Sequence, residues 1–544
     1  MMLIRDALFQ IHMSIVSDRS IHVTLSSEQL DFRSRYQILQ LMRNQIEQVV
    51  QAEAIVSTDQ ILVIYLLPNQ LLDSEQKIRN IVWELDWLEA RVAESQLIEV
   101  PVCYGGEFGP DLEDIATAAG KEVSAWVAWH QSLEFDAVMI GFRPGFAYLQ
   151  PMNVAMFNHP RRKTPRTKLP KGAVGLGGPY CGIYPDESPG GWNWVGTTPQ
   201  HPLIRLGDRV KFYSIDQEVF NEIELKGRMQ NEPNSLERML NCEAVKIIHP
   251  GTSTMLVGLE NPMSIESGGC WGGVMDRVSM MLANVLVGNK KDIAVLEVFG
   301  RGLSLRVDAD GLLGWYGSRC SIQLNGQSIS WCNQAMQVQQ GDELRFGTID
   351  GGLRGWLSIR GGWSGDRKEQ CAVDMHFLES KYRQSIVMYN SRKDRIVRVI
   401  AESQEPFDTF FAHRTYRMSP NSNRIGIRLE IQESLDLTQL KLIELKNSVP
   451  VHPGVIQLPP EGNPIILMAD AQSTGGYPII GRVIRADLGI LAGLRPGEMI
   501  RFDVVSIDQA VFAWNEQSRF IDTTEKMISC RGIPQVKVDR GGVS

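Results

Sequence analysis

Gly141-Phe142-Arg143-Pro144-Gly145-Phe146-Ala147-Tyr148-Leu149 opens a stretch that runs through Pro160-Arg161-Arg162, Pro165-Arg166 and Gly175-Leu176-Gly177-Gly178 to Gly182-Ile183-Tyr184-Pro185-Asp186-Glu187-Ser188-Pro189-Gly190-Gly191-Trp192. Proline lacks a backbone donor and glycine loses the most conformational freedom on folding, so this stretch cannot hold a long helix. Short strands and tight turns remain. Arginines and tyrosines between these punctuators become polar tips on a stiff frame, which suits a binding site and equally the basic surface of an ordinary β domain. The Gly175–Gly178 run lacks GxGxxG spacing and a strand-turn-helix setting, so it is read as a turn.

Outward from this stretch, composition bounds the possibilities. At 544 residues the chain exceeds one hydrophobic core, and about 150 residues per domain suggests roughly three or four domains. A hydrophobic content of 43% with 22% charged residues is that of a globular protein. The net charge of -8 gives no general attraction to nucleic acid or anionic lipid. None of the eight cysteines falls in a CxxC pair, so neither a zinc site nor a dithiol motif is signalled, no metal ligation is expected, and the thiols are taken as reduced and mostly buried. No apolar run reaches the ~18 residues that span a bilayer, and a cytoplasmic, membrane-free protein is expected.

Periodicity divides the chain further. Ile38, Leu41, Met42, Ile46 and Val49 recur at helical spacing between Ser27 and about Gln51, and Ile61 to Leu67 reads as a buried strand ended by Pro68. Asp73 with Gln76 has the form of a capping box, opening a helix with a buried stripe of Ile78, Ile81, Val82, Leu85 and Leu88. Trp83 and Trp87, four apart on that helix, are assigned to core packing. Asp111 is placed to cap a short helix to Ala119, a second helix runs from Lys121 to His130, and a strand from Phe135 to Ile140 delivers the chain to Gly141. Gly207-Asp208 marks a turn, and the polar segment 226–243 reads as a linker. Asp276 caps a later helix whose apolar face is Val278, Met281, Leu282 and Val285.

The runs GFRPGFAYL at 141–149, PRRKTPR at 160–166 and GIYPDESPGGW at 182–192, with IEVPVCYGGEFGPDL at 98–112, resemble the B subunit of the bacterial ATP-dependent 5-oxoprolinase complex, PxpB or KipI, also described as a histidine-kinase inhibitor. His249-Pro250-Gly251-Thr252-Ser253-Thr254, Asn423-Arg424-Ile425-Gly426-Ile427-Arg428-Leu429, Pro453-Gly454-Val455-Ile456-Gln457-Leu458-Pro459-Pro460 and Asp470-Ala471-Gln472-Ser473-Thr474-Gly475-Gly476-Tyr477-Pro478 are similar to its C subunit, PxpC or KipA. The chain therefore looks like both subunits in one polypeptide. Periodicity and the resemblance together give a mainly β protein: a small α+β N-terminal domain (1–98) and the linker (226–243) from the residue pattern, and, as the resemblance implies, a cyclophilin-like β-barrel (99–225) and two further barrel-like lobes (244–385 and 386–544). Tyr180-Cys181 replace the family's Gln-Thr pair, Ser253 to Glu260 depart from its TTVQDLGR run, and its serine-rich GSRST segment has no clear match near His376 to Ser380.

Phosphate-loop, HExxH and GxSxG patterns are absent. Arg143, Arg161, Arg166, Arg424 and Arg428 offer guanidinium forks for carboxylate or phosphate, and Tyr148, Tyr184, Ser188, Thr474 and Tyr477 offer hydroxyls. Asp186, Glu187 and Asp470 are candidate acids, each more readily explained as a turn residue. The resemblance implies ATP-dependent opening of 5-oxoproline, with Mg and a separate A subunit, giving glutamate. On that reading His130, Arg143 and Asp470 are the expected catalytic residues, and Tyr148, Arg161, Arg166, Tyr184, Ser188, Arg424, Gln457, Thr474 and Tyr477 the expected substrate binders. The competing readings are a non-catalytic kinase-inhibitor-like binding protein and a urea-carboxylase-like carboxyltransferase module. Biotin for the latter would arrive on another protein, since no Met-Lys-Met site is present. Small-molecule amide substrates and a homo-oligomer fit any of these better than nucleic acid. The enzyme reading requires two β modules that face each other and pool guanidinium and phenol tips in a shared cleft.

Overall fold

The computed structural model describes the chain except at residues 1, 6–8, 28, 86–94, 152–158, 163, 165, 229–243, 261–264, 364–394, 404–406, 408–410, 413, 432–447 and 532–544. It is mostly strand, as expected. Strands β1 (Met2–Arg5), β2 (Gln10–Ser17), β3 (Ser20–Ser26), β4 (Ala54–Ser57) and β5 (Ile61–Tyr65) pair in the order β1-β2-β3-β5-β4. The apolar run of β5 serves two faces: Leu62 and Ile64 pack on helices α1 (Phe32–Val49) and α2 (Leu71–Glu84), while Val63 and Tyr65 pack on Ile265 and Trp271. Asp31 caps α1 by accepting from the Ser34 amide at 2.9 Å. Helix α2 starts two residues before the expected cap, so Asp73 sits in its first turn and pairs with Lys77 instead. Trp83 is 61% exposed, which corrects its core assignment: it falls beside the stripe of Ile78 and Val82. Trp87 and Leu88 lie outside the described residues.

The next unit holds β6 (Leu97–Tyr104), β7 (Phe135–Ile140), β8 (Ala147–Pro151), β9 (Arg166–Leu169), β10 (Ala173–Gly177), β11 (Tyr180–Ile183), β12 (Ser188–Gly190), β13 (Asn193–Thr197) and β14 (Arg209–Ser214), with helices α3 (Leu112–Ala118) and α4 (Val123–Ser132) between β6 and β7. Seven strands close a barrel in ring order β10-β11-β8-β7-β14-β6-β13, while β9 and β12 form a two-stranded arm. The Gly175–Gly177 segment is therefore a barrel strand and not the expected turn. Its glycines make room for rings: a Cβ at Gly177 would lie 2.6 Å from the Trp192 indole. Asp111 precedes α3 but makes no side-chain cap, because its carboxylate is engaged elsewhere.

After α5 (Gln217–Arg228), strands β15 (Val245–Pro250), β16 (Ser253–Val257), β17 (Val295–Phe299), β18 (Leu303–Val307), β19 (Gly311–Leu324), β20 (Gln327–Trp331), β21 (Gln334–Val338) and β22 (Glu343–Ile359) form an eight-stranded sheet. The described strands do not close into a ring here, where a barrel-like lobe was expected. The long strands β19 and β22 pair along most of their length and so build a ribbon. Asp276 caps α6 (Arg277–Leu286) as expected, accepting from the amides of Val278 and Ser279.

Strands β23 (Ile396–Ala401), β24 (Thr415–Met418), β25 (Gly426–Ile431), β26 (Val449–Pro450), β27 (Val455–Gln457), β28 (Ile465–Leu467), β29 (Thr474–Gly475), β30 (Ile479–Val483) and β31 (Met499–Val504) complete the sheets, with α7 (Leu488–Ala492) and α8 (Ile507–Arg531). Seven of them close a second barrel, β23-β30-β27-β28-β25-β24-β31, with β26 and β29 as its arm. Matched strand for strand from β6 and β23, the two rings have the same order. Each has a parallel pair between its first and last strands and an arm inserted at the same two points. The repeat is legible in the sequence once known: Arg205-Leu206-Gly207-Asp208 with Ser214-Ile215-Asp216-Gln217, and Arg495-Pro496-Gly497-Glu498 with Ser506-Ile507-Asp508-Gln509.

Buried charge ties the units together. Glu53 of the N-terminal sheet binds Arg277 of α6 at 2.8 Å, and it also binds Arg485, which follows β30, and Arg19 of the sheet itself. Helix α8 packs Ile521 and Ile528 on α6 and Ile507 on the N-terminal core, so the two ends of the chain meet.

Candidate functional site

The Gly141 loop lies where the two barrels meet. Phe142 holds a positive φ of 72°, which costs a non-glycine residue roughly 1–2 kcal/mol. Edge-on contacts with the rings of Phe146 and Tyr184 hold it there. The Arg143 amide donates to the Gly141 carbonyl and the Phe146 amide to the Arg143 carbonyl, both at 2.9 Å, so the turn that carries Arg143 is doubly pinned. The Arg143 guanidinium has no hydrogen-bond or ionic partner among the described residues. A Cβ on Gly141 would lie 2.2 Å from Thr474 Cγ2, so this glycine is where the first barrel touches the arm of the second.

Around that contact the polar tips of both barrels converge. Tyr148 Oη and Thr474 Oγ1 are 3.2 Å apart and both residues are buried. Arg161 donates to Ser448 Oγ at 3.2 Å, a neutral acceptor, and has no acidic partner among the described residues. Ser473 Oγ and Gln457 Nε2 are buried nearby without hydrogen-bond partners among the described residues. Tyr180 stands edge-on to Tyr148 at 5.4 Å between ring centres. Burial raises the phenols of Tyr148, Tyr180 and Tyr184 above their usual range, so they act here as neutral hydrogen-bonding groups. Tyr148, Arg161, Gln457 and Thr474 are thus brought together, with Arg143 on the adjoining loop. Ser448 and Ser473 were not anticipated; the repeated arm, seen in the sequence, would have pointed to them.

Other expected residues are held by the protein itself. Arg166 and Arg162 both donate to Asp111 Oδ1 at 2.6 Å, and the Trp194 amide donates to Oδ2, so Arg166 fastens the arm to the barrel. Ser188 is buried on that arm with its hydroxyl unpaired, and Tyr184 lies in an aromatic cluster with Phe146 and Trp192. Arg424 grips Asp470 through two bonds of 2.7 and 2.8 Å, and reaches Glu297 Oε1 and the Gly273 carbonyl at 2.6 Å each. That pair therefore clips the second barrel to the eight-stranded sheet. His130 is fully buried, stacked on Trp126, with Nδ1 2.9 Å from Tyr104 Oη. Burial lowers its pKa to about 3, far from the neutral range in which a proton-transfer group works best. Arg428, Asp186, Glu187 and Tyr477 are exposed, and Glu187 pairs with Lys168. Cys103, Cys181 and Cys320 are buried free thiols, but Cys270 and Cys530 are exposed, against the expectation of mostly buried cysteines.

Two domain descriptions match the chain in succession: carboxyltransferase domain, subdomain C and D, over residues 11–204, and carboxyltransferase domain, subdomain A and B, over residues 267–371 and 365–504. The B subunit of 5-oxoprolinase from Escherichia coli O157:H7 is 37% identical over 189 residues, covering 33% of this chain and 85% of that protein. The C subunit of 5-oxoprolinase from Haemophilus influenzae (strain ATCC 51907 / DSM 11121 / KW20 / Rd) is 28% identical over 281 residues, covering 47% of this chain and 89% of that protein. The crystal structure of TTHA0988 superposes with a TM-score of 0.71 at 26% identity, covering 89% of this chain and 100% of that one.

Proposed function

From the premise that the chain belongs to the carboxyltransferase-domain family of 5-oxoprolinase subunits, with B-type and C-type parts joined in one polypeptide, we propose that it acts with a separate A subunit as an ATP-dependent 5-oxoprolinase producing L-glutamate. The observation that carries this reading is the convergence of Tyr148 and Arg161 from one barrel with Ser448, Gln457 and Thr474 from the other. A lactam with a carboxylate needs neutral donors and acceptors beside a cation, and this cleft offers both.

Arg161 and Arg143 carry charge without an acidic partner among the described residues, so they fit a substrate carboxylate or a phosphate. ATP, when bound with Mg, supplies the phosphoryl group that turns the ring carbonyl oxygen into a leaving group. In this reading the chain orients the lactam through Tyr148, Thr474 and Gln457, and Arg143 and Arg161 steady the negative charge. His130, Arg166, Tyr184, Ser188, Arg424 and Asp470 act at one remove, by holding the barrel walls and arms in place. The test is 5-oxoproline-stimulated ATP hydrolysis and glutamate release by the purified chain with and without the A subunit. Stimulation that falls at least tenfold in Arg161→Met supports the assignment. A chain that binds a sensor kinase but shows no stimulation with its A subunit overturns it. The carboxyltransferase descriptions favour one second reading, carboxyl transfer to a small amide from biotin on another protein; bicarbonate- and biotin-dependent product formation would reveal it.

A further inference from the structure

Gln457 stands on β27 with 2% of its surface exposed, and its Nε2 amide is buried without an acceptor among the described residues. A buried donor left unpaired is strongly disfavoured, so a carboxamide at this depth calls for a partner that none of the described residues provides. Glycine occupies the ground beside it: a Cβ on Gly475 would lie 2.3 Å from Gln457 Nε2, and one on Gly476 would lie 2.7 Å from Arg161 Nη1. A carboxamide head and a guanidinium head therefore flank consecutive residues whose Cα atoms are about 3.8 Å apart, with Val451 Cγ1 also 3.4 Å from where a Cβ on Gly475 would be.

The first barrel supplies the filled version of the same place. Gly175 follows the positive-φ Gly172 by three residues, as Gln457 follows the positive-φ Gly454. Arm strand β12 runs into Gly191-Trp192 and arm strand β29 into Gly476-Tyr477. Over Gly175 lie Tyr184 and the Trp192 side chain, within 3.1 to 3.5 Å of where a Cβ would be. In the second barrel the matching aromatic, Tyr477, is turned out and 41% exposed, and the strand carries Gln457 in place of glycine. The duplicated fold has thus exchanged an aromatic plug for an amide.

Resting on the reading that the cleft takes 5-oxoproline, we propose that Gln457 is its specificity-determining residue, pairing edge to edge with the cis amide of a lactam. Nε2–H donates to the ring carbonyl, Oε1 accepts from the ring N–H, and Arg161 takes the carboxylate one residue further along. A five-membered ring locks its amide cis, a geometry that open-chain secondary amides strongly avoid. The pairing therefore admits lactams and rejects peptides and N-acyl amino acids. Reaching the carboxamide requires the ligand to displace the Gly475–Gly476 segment, in which Gly475 pairs with Val449 and packs beside Val451.

Calorimetry on the full chain tests this with 5-oxoproline, 2-pyrrolidinone and N-methyl-5-oxoproline, alongside KM and kcat for the complex with the A subunit. Gln457→Met is expected to weaken 5-oxoproline and 2-pyrrolidinone by about tenfold to a hundredfold, with the change in KM. N-methyl-5-oxoproline should bind the wild-type chain as weakly as 5-oxoproline binds the variant. The variant should also unfold at the same or a higher temperature than wild type without ligand, since an unpaired buried amide has been removed; a merely structural glutamine predicts the reverse. Unchanged affinity in Gln457→Met, equal binding of the N-methylated lactam, or a destabilised variant overturns the proposal even if 5-oxoproline is turned over. Gln457-dependent binding of 2-pyrrolidinone by a chain that never turns over 5-oxoproline would sink the 5-oxoprolinase reading and leave the lactam site standing. No binding of either lactam by the wild-type chain removes both.

Discussion

Replacing Glu297 with alanine tests whether buried charge holds the second barrel to the eight-stranded sheet. The carboxylate is 4% exposed and accepts from Arg424 at 2.6 Å, from the Met275 amide at 2.9 Å and, in a looser contact of 3.4 Å, from the Trp356 indole. Arg354, with 7% of its side chain exposed, lies 3.3 Å away and has the Ala492 carbonyl as its other partner. Glu297→Ala leaves buried Arg354 with only the more distant Asp470 as counter-charge among the described residues and orphans the Met275 amide. Breaking a buried pair from one side costs about 3–5 kcal/mol, and an unpaired amide about 1–3 kcal/mol. Because Arg424 keeps Asp470, a net loss of about 4 kcal/mol is expected, and about half that for Glu297→Gln, whose amide oxygen still accepts from Met275. Urea unfolding followed by tryptophan fluorescence reads this directly, since Trp356 itself touches the carboxylate. A chain of several units need not unfold in one step, so the quantity compared is the transition that shifts between wild type and variant. A double-mutant cycle with Arg424→Met should return at least about 1 kcal/mol of coupling. A loss under about 1 kcal/mol, or no coupling, would refute the claim that this network joins the two units.

Tyr148→Phe removes one hydroxyl from the barrel-to-barrel contact. It should cost about 1 kcal/mol of stability and lower 5-oxoproline-stimulated activity several-fold; a Thr474→Val double variant no worse than either single one would place both groups in one interaction, and strictly additive losses would separate them. His22 and His130 are held at about 3 and His452 well below its ordinary value, all by burial. Their native forms refuse the proton that the unfolded chain binds near 6.5, so stability is full above that pH. It should then fall toward pH 3 by up to about 1.4 kcal/mol per unit for each histidine. Denaturation curves from pH 7.5 to 5 check this, His130→Gln should flatten the slope, and a pH-independent midpoint would contradict it. Maleimide labelling of the native chain followed by peptide mapping should modify Cys270 and Cys530 while sparing Cys181 and Cys320, whose thiols are buried and, for Cys320, raised to about 11; rapid labelling of Cys181 would contradict its burial.

Much of the architecture was legible without coordinates. Glycine and proline between 141 and 192 limited that stretch to strands and turns, the apolar run at 61–65 marked a buried strand, and Asp276 announced a helix cap, because each depends on interactions within a few residues. The same locality explains the errors. Gly175–Gly177 looks like a turn until Trp192, distant in sequence, is laid across it, and Asp111 looks like a cap until Arg162 and Arg166 arrive to occupy it. Among the arginines the sequence shows only that each carries a fork. Which fork stays available depends on whether a carboxylate from another strand reaches it, as Asp470 and Glu297 reach Arg424 and none among the described residues reaches Arg161. Residue type and spacing determined the strands and the supply of charged and phenolic tips. Tertiary structure alone decided which tips pair within the fold and which, like Gln457 Nε2 beside Gly475 and Arg161 beside Gly476, are left with no partner or only a neutral one among the described residues, because that selection is made by contacts hundreds of residues apart.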